Sequence, residues 1–100
     1  MAGHDYITPF SLLHAASLLS QKARLSKFRK AINQVVDSDS YVVDIGTGTG
    51  VLALLAAQAG AKRVTGIDVN SNSIEYARKA AVRSGLQDRA EFLIVNFIIV

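Results

Sequence analysis

An acidic residue followed by three alternating glycines is the feature of this sequence best suited to bind a ligand. The string from Asp44 to Gly50, DIGTGTG, lies where a short apolar run ends and a helical pattern begins. Glycines at such a junction let the backbone turn sharply and approach a ligand with no Cβ in the way. The start of the helix adds unpaired amides. The string therefore predicts a site for a nucleotide-like ligand.

A second acid follows at the spacing that such a site requires. Asp68 ends the next apolar run, 18 residues after Gly50, close to the roughly 20 expected. From the end of a strand, a carboxylate can accept hydrogen bonds from ribose hydroxyls. A merely solvated acid is the alternative for Asp68 alone, and its position after the glycine string favours the ribose.

The order of the glycines separates two classes of cofactor. A dinucleotide fingerprint is G-x-G-x-x-G, but counted from Gly46 and Gly48 its last glycine position is Val51. The acid-x-G-x-G-x-G order instead resembles the first signature motif of the class I S-adenosylmethionine (SAM) dependent methyltransferases. The resemblance continues through Gly66-Ile67-Asp68-Val69-Asn70 and covers residues 41 to about 96.

This resemblance implies a Rossmann-like methyltransferase fold with SAM, or its demethylated product SAH, as the cofactor. It implies that Asp44 orders the loop and the methionine ammonium, that Asp68 binds both ribose hydroxyls, and that the residues after Asp68 flank the adenine. Asn96 stands where the family commonly has an aspartate that accepts from the adenine amine; its amide oxygen can accept that bond without the carboxylate's charge. The predicted cofactor-binding residues are Asp44, Gly46, Thr47, Gly48, Gly50, Asp68, Val69, Asn70 and Asn96.

The stretch from Ala56 to Val64 is also similar to protein arginine and ribosomal-protein methyltransferases, which implies a macromolecular acceptor, protein or RNA. Four alternatives stay open. The glycine string can be an ordinary strand-to-helix turn. Asn70 is more often a turn residue than a ligand. The whole motif can belong to a non-catalytic SAM- or nucleotide-binding module, or to an NAD-binding oxidoreductase.

The elements that position these residues follow from periodicity. After a helix from Ser11 to about Val36, in one or two pieces, strands and helices alternate, which predicts an α/β fold with a parallel sheet of strand order 3-2-1. The first strand is short, β-branched and apolar, which predicts that it is covered on both faces. Asn72, with Glu75 three residues later, is a candidate cap of the last helix. We expect a helical leader over residues 1–40, which can lie over the cofactor mouth, and a SAM-binding half-domain over residues 41–100.

Composition narrows the functional classes further. The sequence has no cysteine, and His4 and His14 are too few for a zinc site, so no structural metal is expected. No apolar run is long enough to span a membrane and no export signal is evident, so a cytoplasmic location is predicted. The cations from Lys22 to Lys30 could meet RNA or an acidic protein. Because no aromatic platform accompanies these cations, the favoured interpretation is that they form a solvated helix surface.

The sequence stops at or just after the third predicted strand, whereas relatives of this kind close a seven-stranded sheet. From Phe92 to Val100 only Asn96 is polar, and an apolar segment of this kind requires a cover. We therefore expect a truncated sheet that belongs to a longer protein or that associates with another copy. No catalytic residue can be nominated, and the chain alone is expected to be inactive.

Overall fold

Three short segments form the strands of a parallel sheet. The computed structural model describes residues 9–96, with side chains from residue 16 onward, Leu18 excepted. The strands are β1 (Tyr41–Ile45), β2 (Arg63–Asp68) and β3 (Ala90–Ile94), in the order β1-β2-β3. Both pairings are parallel, so the three carboxyl ends lie at one edge of the sheet. The predicted three-stranded α/β architecture of order 3-2-1 is confirmed.

Three helices accompany the sheet: α1 (Pro9–Val35), α2 (Val51–Gln58) and α3 (Ser71–Arg83). α1 is one continuous helix. α2 ends just before Gly60, whose φ of 101° is the left-handed conformation predicted there. Among the described residues no helix is both long and apolar enough to cross a membrane.

The predicted cap of α3 was wrong. Asn70, not Asn72, caps the helix: its backbone is extended and its side-chain oxygen accepts a hydrogen bond from the Ser73 amide at 3.0 Å. Glu75 does not reach back to the helix start but forms an ion pair with Lys79 at 3.4 Å, one turn further on. The helix therefore begins closer to Asp68 than the capping pattern indicated.

The core lies between α2, α3 and one face of the sheet. It is built largely from alanines, which let the helices approach the strands closely, around three larger side chains. Ile74 and Val64 are fully buried and Phe92 is 2% exposed. Ile32 of α1 and Val36, the residue after the helix, pack against this cluster from outside. The division of the chain at residue 40 stays a prediction.

The opposite face of the sheet is uncovered in the described part of the chain. Tyr41, Val43 and Ile45 alternate along β1 and are 65–70% exposed. The expectation that β1 is covered on both faces does not hold within residues 9–96, because α2 and α3 pack on the same side. Of the terminal segments, His4 and the stretch from Phe97 to Val100 lie outside the described residues, as does the side chain of His14.

The two lateral edges of the sheet, formed by β1 and by β3, also differ. At the outer edge of β3, the Arg78 guanidinium donates two hydrogen bonds to the Phe92 carbonyl, from Nε at 3.0 Å and from Nη2 at 2.7 Å. An edge carbonyl covered in this way is poorly available to another strand. Within the described residues, no strand pairs with the other side of β1.

Candidate functional site

The glycine loop between β1 and α2 is held in a conformation that only glycine adopts readily. Gly46, Gly48 and Gly50 have φ values of 71°, 57° and 85°. A Cβ at Gly46 or Gly48 would meet nothing within 4 Å, so both glycines leave open space beside the backbone. That open space leaves the backbone of the loop accessible to a ligand.

Gly50 is required for packing rather than for ligand access. A Cβ there would lie 2.9 Å from the Ala77 Cβ and 2.9 Å from the Phe92 ring. Gly66 on β2 is similar, because its Cβ would lie 2.6 Å from the Thr47 hydroxyl and 2.7 Å from the Phe92 ring. Real Cβ atoms essentially never approach other atoms within 3.0 Å, so these two glycines let the loop sit directly on the core.

Thr47 points inward and fixes the loop to the end of β1. Its side chain is 8% exposed, and its hydroxyl donates a hydrogen bond to Asp44 Oδ2 at 2.8 Å. Its amide donates to the Ile67 carbonyl at 2.9 Å. The side chain is therefore engaged in positioning Asp44, and a contact of the hydroxyl with a ligand stays a prediction.

Asp68 joins the loop to the end of β2. Its Oδ1 accepts a hydrogen bond from the Asn70 amide at 2.9 Å, and its Oδ2 accepts one from the Gly48 amide at 2.8 Å. These amides, Asn70 first and Gly48 second, hold the pKa of the Asp68 carboxyl below its usual value, against a smaller opposing effect of burial. The carboxylate is thus ionised and oriented, and each oxygen keeps a lone-pair direction for a further donor.

The remaining predicted residues lie at the same edge of the sheet. Val69 is 51% exposed directly after β2, and Asn70 is exposed with its side chain occupied by the α3 cap. Asn96 is exposed two residues beyond β3, where the Val95 amide donates to the Asp68 carbonyl at 2.9 Å. The structure therefore brings all nine predicted residues to the carboxyl edge, although their contacts with a cofactor stay predictions.

Arg24 is a candidate that the sequence reasoning missed. A groove of about 280 Å³ separates α1 from the start of α2 and is lined by Gln21, Arg24, Leu25, Phe28, Val51 and Leu52. Because Val51 and Leu52 follow Gly50 directly, this groove begins where the glycine loop ends. Arg24 was counted with the solvated cations, yet its spacing from Gln21 and Phe28 places it at the border of the apolar stripe, which could have revealed it.

The start of α2 and the acids complete the chemistry of this edge. Gly50 provides no side-chain cap, so the first amides of α2 keep their donor capacity. Among the described residues, no three His, Asp or Glu side chains are grouped in a way that could hold a metal ion. The edge thus offers two carboxylates, oriented amides and a neighbouring guanidinium, which suits a ligand carrying hydroxyls, an ammonium and a carboxylate.

Comparison with known proteins finds similarity to methyltransferases. The ribosomal protein L11 methyltransferase of Shewanella halifaxensis is 46% identical over 54 residues, covering 54% of this chain and 18% of the relative. Protein arginine N-methyltransferase 1 of Saccharomyces cerevisiae is 38% identical over 78 residues, covering 76% and 22%. The Trypanosoma brucei PRMT1 enzyme-prozyme heterotetrameric complex with AdoHcy superposes with a TM-score of 0.67 at 29% identity, covering 76% of this chain and 24% of the other.

The chain spans between 17% and 24% of the length of the curated relatives that it matches. The family model of the ribosomal protein L11 methyltransferases (PrmA) matches residues 28–97, which include every residue of the carboxyl edge described above except Arg24. The chain belongs to this SAM-dependent methyltransferase family.

Proposed function

We propose that this chain binds SAM at the carboxyl edge of its sheet and that the protein it represents transfers the methyl group to an acceptor. The observation that carries the proposal is the Asp68 carboxylate, which accepts hydrogen bonds from the Gly48 and Asn70 amides and so joins the glycine loop to the end of β2. Relatives named as methyltransferases, one of them solved with AdoHcy, support the choice of cofactor.

The residues at this edge suit the ribose, the sulfonium and the ammonium group of the cofactor. The free lone pairs of Asp68 suit the two neighbouring ribose hydroxyls, and its depressed pKa keeps both bonds charge-assisted. The open sides of Gly46 and Gly48 leave room for the sulfonium end. Asp44, oriented by Thr47, suits the methionine ammonium directly or through water.

Two groups next to the loop suit the methionine carboxylate. The first amides of α2 have no side-chain cap, and Arg24 lines the groove that begins at Val51. A helix start and a guanidinium both favour a carboxylate. We include Arg24 in the proposed cofactor site on this ground.

The adenine is proposed to lie beyond the ribose acid, between the ends of β2 and β3. Val69 offers an exposed apolar surface there, and the exposed Asn96 side chain offers an acceptor for the adenine amine. Asn70 contributes through its backbone, since its side chain caps α3.

SAM supplies a methyl group activated by its attachment to a sulfonium. The contribution of the protein to such a transfer is proximity, alignment and exclusion of water, which a preorganised loop can give without a catalytic base. The described residues hold the donor, and residues for the acceptor are not assigned among them. We expect the chain alone to bind cofactor without transferring a methyl group.

Titration calorimetry with SAM and SAH tests the cofactor proposal. Binding by the wild-type chain should be weakened at least tenfold in Asp68→Ala, because both hydroxyl acceptors and the anchor of Gly48 are removed together. Asp88→Ala is the matched control: Asp88 is an exposed acid in the turn before β3, at the opposite end of the sheet. Absence of SAM binding, or equal loss in both variants, would refute the site. Binding of NADH in place of SAM would revive the oxidoreductase alternative.

We further propose that the uncovered face of the sheet is covered by association, with a second copy or with further chain. Tyr41, Val43 and Ile45 expose a row of large apolar side chains along β1, and exposed apolar surface of this kind favours association. Sedimentation at micromolar concentration should show species larger than a monomer. A monomer that transfers methyl groups would contradict both this proposal and the expected inactivity.

A further inference from the structure

The positive charge of this protein is concentrated on one helix. α1 contains five of the 11 lysine and arginine residues and no aspartate or glutamate. Residues 37–96 hold six cations and seven acids, so the rest of the described chain is close to neutral. The formal charge of +3 therefore originates in α1.

Four of these cations share one surface of the helix. At about 100° per residue, Lys22, Lys27, Arg29 and Lys30 fall within roughly 160° of the helix circumference, turned away from the stripe that contacts α2. All four are exposed. The uncharged donors between them are Ser26, Asn33 and Gln34, and Ala23 is the apolar residue of this surface. We call these four cations and three polar residues the cationic face; it extends about 18 Å along the helix.

Neither ion pairs within α1 nor the helix dipole explains why these cations are grouped on one surface. On α3, Lys79 is paired with Glu75 four residues earlier, as is common on solvated helices. On α1 no acid is available at any spacing, and Lys27 and Lys30 are like charges three residues apart. Interaction with the helix dipole is confined to the last turn, and the last turn of α1 contains no basic residue.

An aromatic side chain lies between the cationic face and α2, next to Lys27. Phe28 is 42% exposed and lines a shallow groove with Arg24, Lys27 and Ala31. Cations beside an accessible aromatic ring are the combination by which proteins hold single-stranded nucleic acid, through phosphates and a stacked base. The same groove adjoins the one that leads to Val51 at the start of α2.

We propose that the cationic face is a docking surface for single-stranded RNA and that it brings an RNA acceptor to the cofactor edge. This assignment of the acceptor class rests on the proposed methyl transfer, whereas RNA binding itself does not. The face is dominated by exposed hydrogen-bond donors, which suits phosphates. An arginine-bearing peptide would be repelled by it.

Fluorescence anisotropy with a labelled oligouridylate of roughly 12 nucleotides tests the proposal. The test variant changes Lys22, Lys27, Arg29 and Lys30 to Gln and leaves Arg24, which belongs to the proposed cofactor site, in place. The matched control changes Lys62, Lys79, Arg83 and Arg89 to Gln, which removes the same charge from outside α1. Both variants are compared with the wild-type chain by circular dichroism.

The test variant should lose at least tenfold in RNA affinity, while the control should change by no more than about threefold. With three or four phosphates neutralised, log K against log salt should fall with a slope of about −2 to −3 in the wild-type chain and approach zero in the test variant. If the test variant loses helix, the pair Lys27→Gln and Lys30→Gln replaces it, with about half the slope expected to remain.

Equal loss of affinity in both variants would overturn the proposal, since net charge alone would then explain binding. Tighter binding of polyglutamate than of the oligouridylate would overturn it in favour of an acidic protein partner. SAM titration of the test variant should match the wild-type chain. Absence of SAM binding in the wild-type chain would refute the proposed function but leave the RNA result interpretable.

Discussion

The glycine loop and helix α1 both border the proposed cofactor site, but the body of the protein holds them very differently. In the loop, Thr47 is bonded to Asp44, Gly48 is bonded to Asp68, and Gly50 lies against the Phe92 ring. On α1, by contrast, Leu25 and Phe28 facing α2 remain 40% and 42% exposed. A cofactor site needs backbone amides fixed in advance, whereas a docking surface needs only accessible donors on a regular helix.

The largest difference should appear when the same residue type is removed from the two regions. Phe92→Ala removes a ring that is 2% exposed and supports both Gly50 and Gly66, so we expect a loss of about 3–5 kcal/mol in the free energy of unfolding. Phe28→Ala removes a half-exposed ring from α1 and should lose about 1 kcal/mol or less. Urea denaturation of both variants measures the two values. Similar losses would show that α1 is held as firmly as the loop.

A second pair of variants separates packing from backbone strain at the glycines. Gly50→Ala and Gly60→Ala both force a residue with a Cβ into a positive φ, which should cost about 1–2 kcal/mol each. Only the Gly50 variant adds a clash with Ala77 and Phe92, which should raise its loss by a further ~1–3 kcal/mol. Thermal unfolding of the two variants checks the difference. Equal melting temperatures would mean that the loop can lift from the core without penalty.

Thr47→Val tests the link between the loop and β1 with almost no change in shape. Loss of the 2.8 Å bond to the Asp44 carboxylate should destabilise the protein by about 1.5–3 kcal/mol. Thr65→Val is the control, because the Thr65 hydroxyl lies 3.5 Å from Glu91 Oε1, at the limit of a hydrogen bond. That variant should lose well under 1 kcal/mol. If the two values coincide, Thr47 does not position Asp44.

Sequence reasoning succeeded where local pattern determines structure. The three strands, their order, the glycine loop and the place of Asp68 follow from alternation and from spacing along the chain. It failed where two positions look alike locally: Asn70 and Asn72 are both good caps, and only the extended backbone of Asn70 decides between them. The sequence also did not predict that Thr47 points inward, or that Gly66 makes room for the Thr47 side chain. Both features depend on contacts between strands.

The uncovered face shows a further limit. Tyr41, Val43 and Ile45 have the composition of a strand buried on both sides, yet they are exposed in the described chain. A run of apolar residues reports that a face avoids water, and it does not report which element covers it. Likewise, Phe28 fits an apolar stripe by its spacing, and its partial exposure beside Lys27 becomes apparent only from the packing of α1.

The smallest effect we predict is the acid sensitivity of the tie between the loop and β2. Amides of Asn70 and Gly48 depress the pKa of Asp68 below 3.8 in the folded chain, so the folded state binds this proton less readily than the unfolded state. The resulting stability is fully present above pH 3.8 and is lost as the pH falls through the lower, folded-state value.

Asp68→Asn lacks this titration. Urea midpoints of both proteins should therefore differ by a constant amount near neutral pH and converge below pH 3.8. A difference that persists unchanged in acid would mean that the amides of the loop do not depend on the charge of Asp68, and the firm hold on the loop would then have to come from Thr47 and Phe92 alone.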